Sequence, residues 1–291
     1  MSSGMDEEVI PHRINKSAVQ ISAEVISNKK FGPYHHMVFA VGEMAANSRP
    51  GNFVAIAIGD SQSAHILRRA FAVYRAIDKG PMGGSIELVI APHGQGSTWL
   101  CSRTVGEFVD LIGPLGTAFG VPSSNANAML IGGGYGSAPL FALAELLKNR
   151  GCRVDMVLGA STAAKIFAPL EGKRSVSSLT LTTDDGSAGI HGQISEAIPR
   201  LIREYKTEVI YSCGPMGMLS AIAKIAEDFD IAHQCSVEES MACGIGVCMT
   251  CVVPIKYESG IKMVRTCIDG PVMDAAEIIW DKKTVTDLLH S

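Results

Sequence analysis

Residues 128–147 read AMLIGGGYGSAPLFALAELL, an apolar run about as long as a membrane span. Four glycines, a proline and Glu145 interrupt it. A buried strand, a tight turn and a buried helix account for that punctuation better than a bilayer does. The strand is NAMLIGG (127–133), and the helix is APLFALAELLKNRG (138–151), with Pro139 near its start and Gly151 past its end. The alternation continues outward. CRVDMVLGA (152–160), SLTLTTDDG (178–186) and EVIYSCG (208–214) read as strands, and PMGMLSAIAKIAEDF (215–229) reads as a helix. Strands alternating with helices predict a doubly wound parallel sheet, which takes ligands at the carboxyl ends of its strands.

Upstream the texture changes to short alternating runs: SAVQISAEVIS, HHMVFAVGE, NFVAIAIG, AFAVYRAI and SIELVIAP, closed by FVDLIGPLGTAFG. Turn residues at short intervals make this an antiparallel barrel or sandwich. Beyond residue 232 the chain is short, has no long periodic helix, and concentrates its cysteines. The expected organisation is multidomain, β plus α/β: a tail over 1–15, an antiparallel β-barrel domain over 16–122, a doubly wound parallel-sheet domain over 123–231, and a small C-terminal domain over 232–291. A length of 291 residues accommodates these units. A net charge of −4 gives no basic surface, so no nucleic-acid partner is expected. The acidic start MSSGMDEEVIPHR lacks the apolar core of a secretory signal, which predicts a cytoplasmic protein with no membrane association.

Of eight cysteines, Cys101, Cys152, Cys213 and Cys235 are scattered. The others form Cys243-x4-Cys248-x2-Cys251-x15-Cys267. The first three match the plant-type iron–sulfur spacing, in which a loop wraps one edge of a 2Fe–2S cluster and a distant cysteine completes it. Gly244 and Gly246 suit a chain that must approach inorganic sulfide closely. A four-thiolate zinc site is the competing reading, although zinc ligands usually pair as two short C-x2-C knuckles. Four unligated buried cysteines are the bland one.

In LIGGGYGSAPL, Gly132, Gly133, Gly134 and Gly136 let the backbone approach a pyrophosphate at a helix N-terminus. The run departs from G-x-G-x-x-G, and a tight turn without a ligand would look the same. Cys213, Gly214 and Pro215 end a later strand just before another helix, so two turns at one sheet edge are available for the two ends of a dinucleotide. Cys213 also reads as a small buried residue. Asp184 and Asp185 read as a solvated loop with an Asx turn rather than as a metal or acid–base pair.

In the barrel, LRRAFAVY presents tandem arginines at a strand start, and Gly94, Gly96 and Ser97 precede a helix one strand later. Arg69 with the Gly96–Ser97 turn offers donors to a diphosphate; a surface arginine and a plain cap is the alternative. A nicotinamide cofactor moves two electrons as a hydride and an iron–sulfur cluster moves one, so a chain holding both needs a flavin between them. The barrel is the region left to hold it.

Together these features resemble the electron transfer subunit family of the heteromeric, NAD-linked dihydroorotate dehydrogenase, within the ferredoxin–NADP reductase superfamily. The resemblance covers residues 17–279 in the same domain order. SVEESMACGIGVCMTC and VRTCIDGPV, the cluster segment, carry its most specific part. It implies an FAD-binding barrel with a motif at Arg69, Ala70, Phe71 and Ala72, and further FAD contacts at Val89, Ile90, Ala91, Gly96 and Ser97. It implies NAD(H) at Gly132, Gly133, Gly134, Gly136, Cys213, Gly214 and Pro215, and a 2Fe–2S cluster on the four clustered cysteines. Ala72 departs from the family, which has a hydroxyl residue there. The resemblance further implies an FMN-containing catalytic subunit that oxidises dihydroorotate, a heterotetramer with it, and electrons passing singly through 2Fe–2S to FAD and on to NAD+ in pyrimidine biosynthesis. No catalytic residue is assigned. The alternatives are the small flavin and iron–sulfur subunit of a sulfhydrogenase or ferredoxin-dependent transhydrogenase, or a non-catalytic redox sensor. In STAAKIF (161–167) Lys165 stands without an arginine for a 2′-phosphate, which favours NADH.

Overall fold

The computed structural model describes residues 18–59, 65–257 and 260–281; the expected tail over 1–15 lies outside them. The first sheet is built from β1 (Val19–Phe31), β2 (Tyr34–Ala40), β3 (Phe53–Ile56), β4 (Arg69–Ala72), β5 (Arg75–Asp78), β6 (Gly84–Ile90) and β7 (Phe108–Leu115). Its order is β4-β3-β7-β1-β2-β6-β5, and every pairing is antiparallel. The two edge strands, β4 and β5, are separated in the chain only by Val73 and Tyr74. Strands that far apart in sheet order and that close in sequence force the sheet to curl onto itself. The result is a barrel in which β4 and β5 act as one bent strand. The period-2 alternation sends Ala23, Val25, Met37, Phe39, Val54, Ile56, Leu88 and Leu111 inward. Two short helices cover the barrel, α1 (Met44–Asn47) and α2 (Gln95–Cys101).

The second sheet contains β8 (Asn127–Gly133), β9 (Arg153–Ala160), β10 (Ser178–Thr183), β11 (Ile190–His191), β12 (Val209–Cys213) and β13 (Ala232–Ser236), all parallel. Helices α3 (Ala138–Asn149) and α4 (Pro169–Ser175) cover one face, and α5 (Ile194–Tyr205) and α6 (Met216–Asp228) the other. Each central strand therefore feeds two cores. In β8, Ala128 and Leu130 pack with Leu140 and Phe141 of α3, whereas Met129 and Ile131 pack with Ile198 and Ile222 of α5 and α6. That is why the strand reads as continuously apolar.

The C-terminal part consists of the hairpin β14 (Val252–Tyr257) and β15 (Gly260–Arg265), followed by β16 (Val272–Asp274). Strand β16 returns to the parallel sheet and pairs antiparallel with β13. The expected boundary at 232 thus falls just before a strand hydrogen bonded into the second sheet. The expected architecture of antiparallel barrel, doubly wound parallel sheet and small C-terminal domain is what the chain forms. Among the described residues no helix is long and apolar enough to cross a membrane.

A polar latch joins the barrel to the α/β unit. The Tyr74 hydroxyl donates to Glu171 Oε1 at 2.5 Å, and Arg75 pairs with Glu145 at 2.7 Å and Glu171 at 3.0 Å. Burial, followed by Glu171, pushes the Tyr74 phenol far above its ordinary pKa. Around it the rings of Tyr74, Phe141 and Phe167 meet edge-on at 5.3–5.9 Å. Tyr74→Phe keeps the ring and removes the bond to a charged acceptor. It is expected to lower stability by about 1–2 kcal/mol, read as a lower denaturant midpoint. An unchanged midpoint would show that the latch adds nothing beyond ring packing.

Candidate functional site

A cleft of about 670 Å³ opens between the barrel and the carboxyl edge of the parallel sheet. The glycine turn after β8 and the Gly214–Pro215 turn after β12 form its wall, and they touch. A Cβ on Gly133 would meet Pro215 Cδ at 2.8 Å, and one on Gly136 would meet Gly214 Cα at 3.0 Å. Gly132 is closed off by Ser137, and Gly134 has φ +56°. Side chains at these positions would separate the two turns, so the glycines set the depth of the cleft. Cys213 is buried behind the wall, and burial pushes its thiol up to about 12. That is a packed thiol, not a nucleophile.

Two wall residues carry no motif and escaped the sequence reading. Tyr135 stands in the turn itself, its ring 5.6 Å from His93 and 6.0 Å from Tyr34, both on the barrel side. Glu238 lies close to its hydroxyl, and burial, followed by that carboxylate, raises its pKa. Glu238 lies just past β13, and only the sheet order β12-β13 brings it to this edge. One of two adjacent acids in SVEES gives no periodic or motif signal that could have found it.

On the barrel, the tandem arginines divide. Arg68 is tied inward, to Asp110 Oδ2 at 2.9 Å and to the carbonyl of Asp110 at 3.2 Å. Arg69 instead lies over α2, its Nε 3.3 Å from where a Gly96 Cβ would stand. Ser97 Oγ accepts from the amides of His93 and Gly94 and caps that helix. The structure therefore brings Arg69, Gly96 and Ser97 together. Ala70 and Phe71 are half-buried on β4, and Ala72 is exposed. Val89 and Ile90 end β6 and Ala91 follows it; Ala91 lines the cleft and the Ile90 side chain packs in the barrel core.

The cysteine loop lies against β3. A Cβ on Gly244 would be 3.4 Å from Ala55 Cβ and 3.7 Å from Phe53. Gly244, Gly246 and Met249 all take positive φ (+72°, +82° and +56°), which wraps the loop tightly. Arg265 fixes it by donating to the Gly246 carbonyl at 2.8 Å. The amides of Val247 and Cys248 point at Cys243 Sγ, 3.3 and 3.5 Å away. The four thiols fall into two pairs. Cys243 and Cys248 lie beside each other on the outer side, and Cys251 and Cys267 lie beside each other in an apolar pocket with Phe53, Ala55 and Leu115. The Thr250 hydroxyl, with amides nearby, draws the exposed Cys248 thiol down to about 6, whereas burial and then Cys251 push Cys267 up to about 12.

Among the described residues no three ligand side chains close on a point for one metal ion. Two thiol pairs with inward-pointing amides suit a two-iron cluster, in which each iron takes two thiolates, better than one tetrahedral ion. Ala70 of the arginine strand packs against the inner pair's pocket, and Ala55 pairs directly with it across β3 and β4. One strand spacing, about 4.8 Å, separates the strand under the cysteine loop from the strand that starts at Arg69.

Comparison with known proteins agrees with this arrangement. Residues 238–279 match the iron–sulfur cluster binding domain of dihydroorotate dehydrogenase B. The chain is 30% identical over 247 residues to a Desulforamulus reducens protein named dihydroorotate dehydrogenase B (NAD(+)), electron transfer subunit, covering 85% of this chain and 93% of that one. A Geobacillus kaustophilus protein of the same name is 35% identical over 234 residues, 79% of this chain and 87% of that one. Among solved structures, an NADH-dependent reduced ferredoxin–NADP oxidoreductase studied for flavin-based electron bifurcation superposes with a TM-score of 0.77. It is 28% identical and covers 92% of this chain and 91% of its own.

Cys248→Ser is expected to remove iron and the visible absorption of the cluster while flavin content stays within about twofold, because Cys248 lies outside the barrel. Metal and flavin analysis of the same preparation checks this, and full iron retention would count against Cys248 as a ligand.

Proposed function

The chain belongs to the family of electron transfer subunits of dihydroorotate dehydrogenase B, and from that premise we propose that it links a dihydroorotate-oxidising, FMN-containing catalytic subunit to NAD+ in cytoplasmic pyrimidine biosynthesis. The observation that carries the reading is the contact between two sites. The pocket of Cys251 and Cys267 is shared with Ala70, the residue after Arg69. A bound 2Fe–2S cluster supplies one-electron transfer, and bound FAD supplies the exchange between single electrons and the hydride that NAD+ takes up.

The chain's own residues do the holding and the aiming. Cys243, Cys248, Cys251 and Cys267 ligate the cluster, and the Val247 and Cys248 amides favour the charge it gains on reduction. Arg69 neutralises the FAD diphosphate over the Gly96–Ser97 turn. The Gly132–Gly136 turn and the Gly214–Pro215 turn receive NAD(H), with Tyr135 and Glu238 at the junction of the two domains. Exposed Ala72 leaves one flavin contact without the family's hydroxyl donor.

Co-expression with a dihydroorotate dehydrogenase catalytic chain should give a heteromeric complex that reduces NAD+ with dihydroorotate, while this chain alone passes electrons only from NADH to an artificial acceptor. FAD- and iron-replete protein with no NADH-dependent acceptor reduction would defeat the catalytic reading. The likeness to the bifurcating oxidoreductase supports a second reading, a ferredoxin-linked transhydrogenase subunit. Co-purification with a ferredoxin-reducing partner instead of an FMN dihydroorotate dehydrogenase would select it.

Ile245, Val247 and Met249 surround exposed Cys248, and Val247 is 75% exposed. This apolar rim is the face we assign to the catalytic subunit. Val247→Glu is expected to weaken the complex by about tenfold or more, measured by titration calorimetry, with iron and flavin content unchanged. Undiminished affinity would move the interface elsewhere.

A further inference from the structure

Within the cysteine loop, the peptide that joins Gly246 to Val247 is trans. A trans peptide is planar and points its carbonyl and its N–H in opposite directions. Here the two ends meet different partners. The Gly246 carbonyl accepts from Arg265 Nη1 at 2.8 Å, and the Val247 amide donates to Cys243 Sγ at 3.3 Å. One rigid unit therefore stands between a guanidinium and the sulfur of a cluster cysteine.

The local backbone holds Arg265 in that place. It ends β15, where it pairs with Val252, the residue after Cys251. Its own amide donates to Asp269 Oδ2 at 2.8 Å, and its carbonyl accepts from the amides of Ile268 and Asp269 at 3.1 and 2.8 Å. The turn that carries Cys267 thus fixes the chain beneath the arginine. The Asp269 carboxylate stands 4.0 Å from Arg265 Nε, which leaves Nη1 to the Gly246 carbonyl. The arginine side chain is 35% exposed, so water and salt screen its charge only in part.

We propose that Arg265 raises the reduction potential of the cluster through this peptide: it aligns and polarises the Val247 N–H toward Cys243 Sγ and so stabilises the one-electron reduced state. The proposal rests on the assignment of the four clustered cysteines as cluster ligands. Reduction adds a negative charge, and hydrogen bonds to the sulfurs together with nearby net charge set how readily that happens. A guanidinium at the carbonyl end strengthens the donor at the other end, since hydrogen bonds in a chain polarise one another by roughly 10–30% each. The same bond fixes the peptide plane. Without it the carbonyl is free to turn toward water, and the N–H turns away from the sulfur with it. Arg265 is a positioning residue, acting through Gly246 and Val247 rather than as a ligand.

The midpoint potential of the cluster in the full-length protein, read from the EPR signal of the reduced cluster during a mediated dithionite titration, tests the proposal. Arg265→Leu should make reduction about tenfold less favourable, a midpoint about 59 mV lower for one electron. Arg265→Gln, a neutral donor, should cost about threefold, and Arg265→Lys, a charged one, should stay within about twofold of the wild type. Lys262→Met removes a positive charge from the same strand, where Lys262 lies over the Tyr257 ring, and should also stay within about twofold. Where Arg265→Leu holds no iron, Arg265→Gln carries the test. At wild-type iron content, unmoved midpoints in Arg265→Leu and Arg265→Gln overturn the proposal, as does a fall in Lys262→Met as large as theirs. Loss of iron from both arginine variants would make Arg265 a clamp that assembles the loop, and would overturn the tuning role too. A wild type that binds no iron would instead overturn the assignment of the cysteines.

Discussion

The step of Val73 and Tyr74 from one edge of the first sheet to the other constrains everything around it. Closing the barrel with so short a link fixes residues 69–75 as a taut segment, and that segment meets every part of the molecule. Arg69 faces the α2 turn, Ala70 packs against the cysteine pocket, and Tyr74 and Arg75 bind the α/β unit through Glu171 and Glu145. A longer link would let the barrel close without fixing these three contacts relative to one another. The three regions of the chain are therefore held in register by geometry as much as by burial.

Small residues then decide how closely the regions approach. Gly244 lies on Ala55, Ala55 pairs with Ala70, and Gly136 meets Gly214. Each contact puts backbone or a single methyl group where a larger side chain would push two functional segments apart. Electron transfer needs proximity and dinucleotide binding needs backbone donors, and both favour the same sparse packing. The cost falls on stability, since methyl groups and glycines bury little apolar surface. The aromatic cluster of Tyr74, Phe141 and Phe167 and the polar latch supply cohesion at the barrel–sheet junction instead.

Much of this was legible in the sequence, because the signals were local. Strand and helix periods, Pro139 and Gly151 at the ends of α3, and the x4, x2 and x15 cysteine spacing each act within a short window. What stayed hidden depended on distant segments meeting. Nothing in three residues such as Val272–Asp274 announces that β16 will extend the parallel sheet. Nothing in LRRAF distinguishes Arg68, drawn inward by Asp110 more than 40 residues later, from Arg69. Glu238 and Tyr135 became a pair only once β12 and β13 lay side by side. Asp184 and Asp185 looked like one loop feature, and the hydrogen bonds of Ser187 to Asp185 separated them.

The division of the four cysteines into unlike pairs gives the site a direction that spacing alone does not contain. The inner pair sits in an apolar pocket that shares Ala70 with the arginine strand. The outer pair sits on a loop whose Cys248, Val247 and Met249 are open to solvent. A redox centre held this way has one side toward the interior of its own chain and one side toward whatever docks outside. The opposite pKa movements of Cys248 and Cys267 follow from the same asymmetry, since hydroxyl and amide donors reach the outer thiol while burial dominates the inner one. Reversing the burial of the two pairs would bury the apolar rim and expose the pocket beside Ala70, and the chain could no longer connect a partner to its own barrel. The loop therefore carries the polarity of the subunit in its packing, and the spacing of its ligands carries only their number.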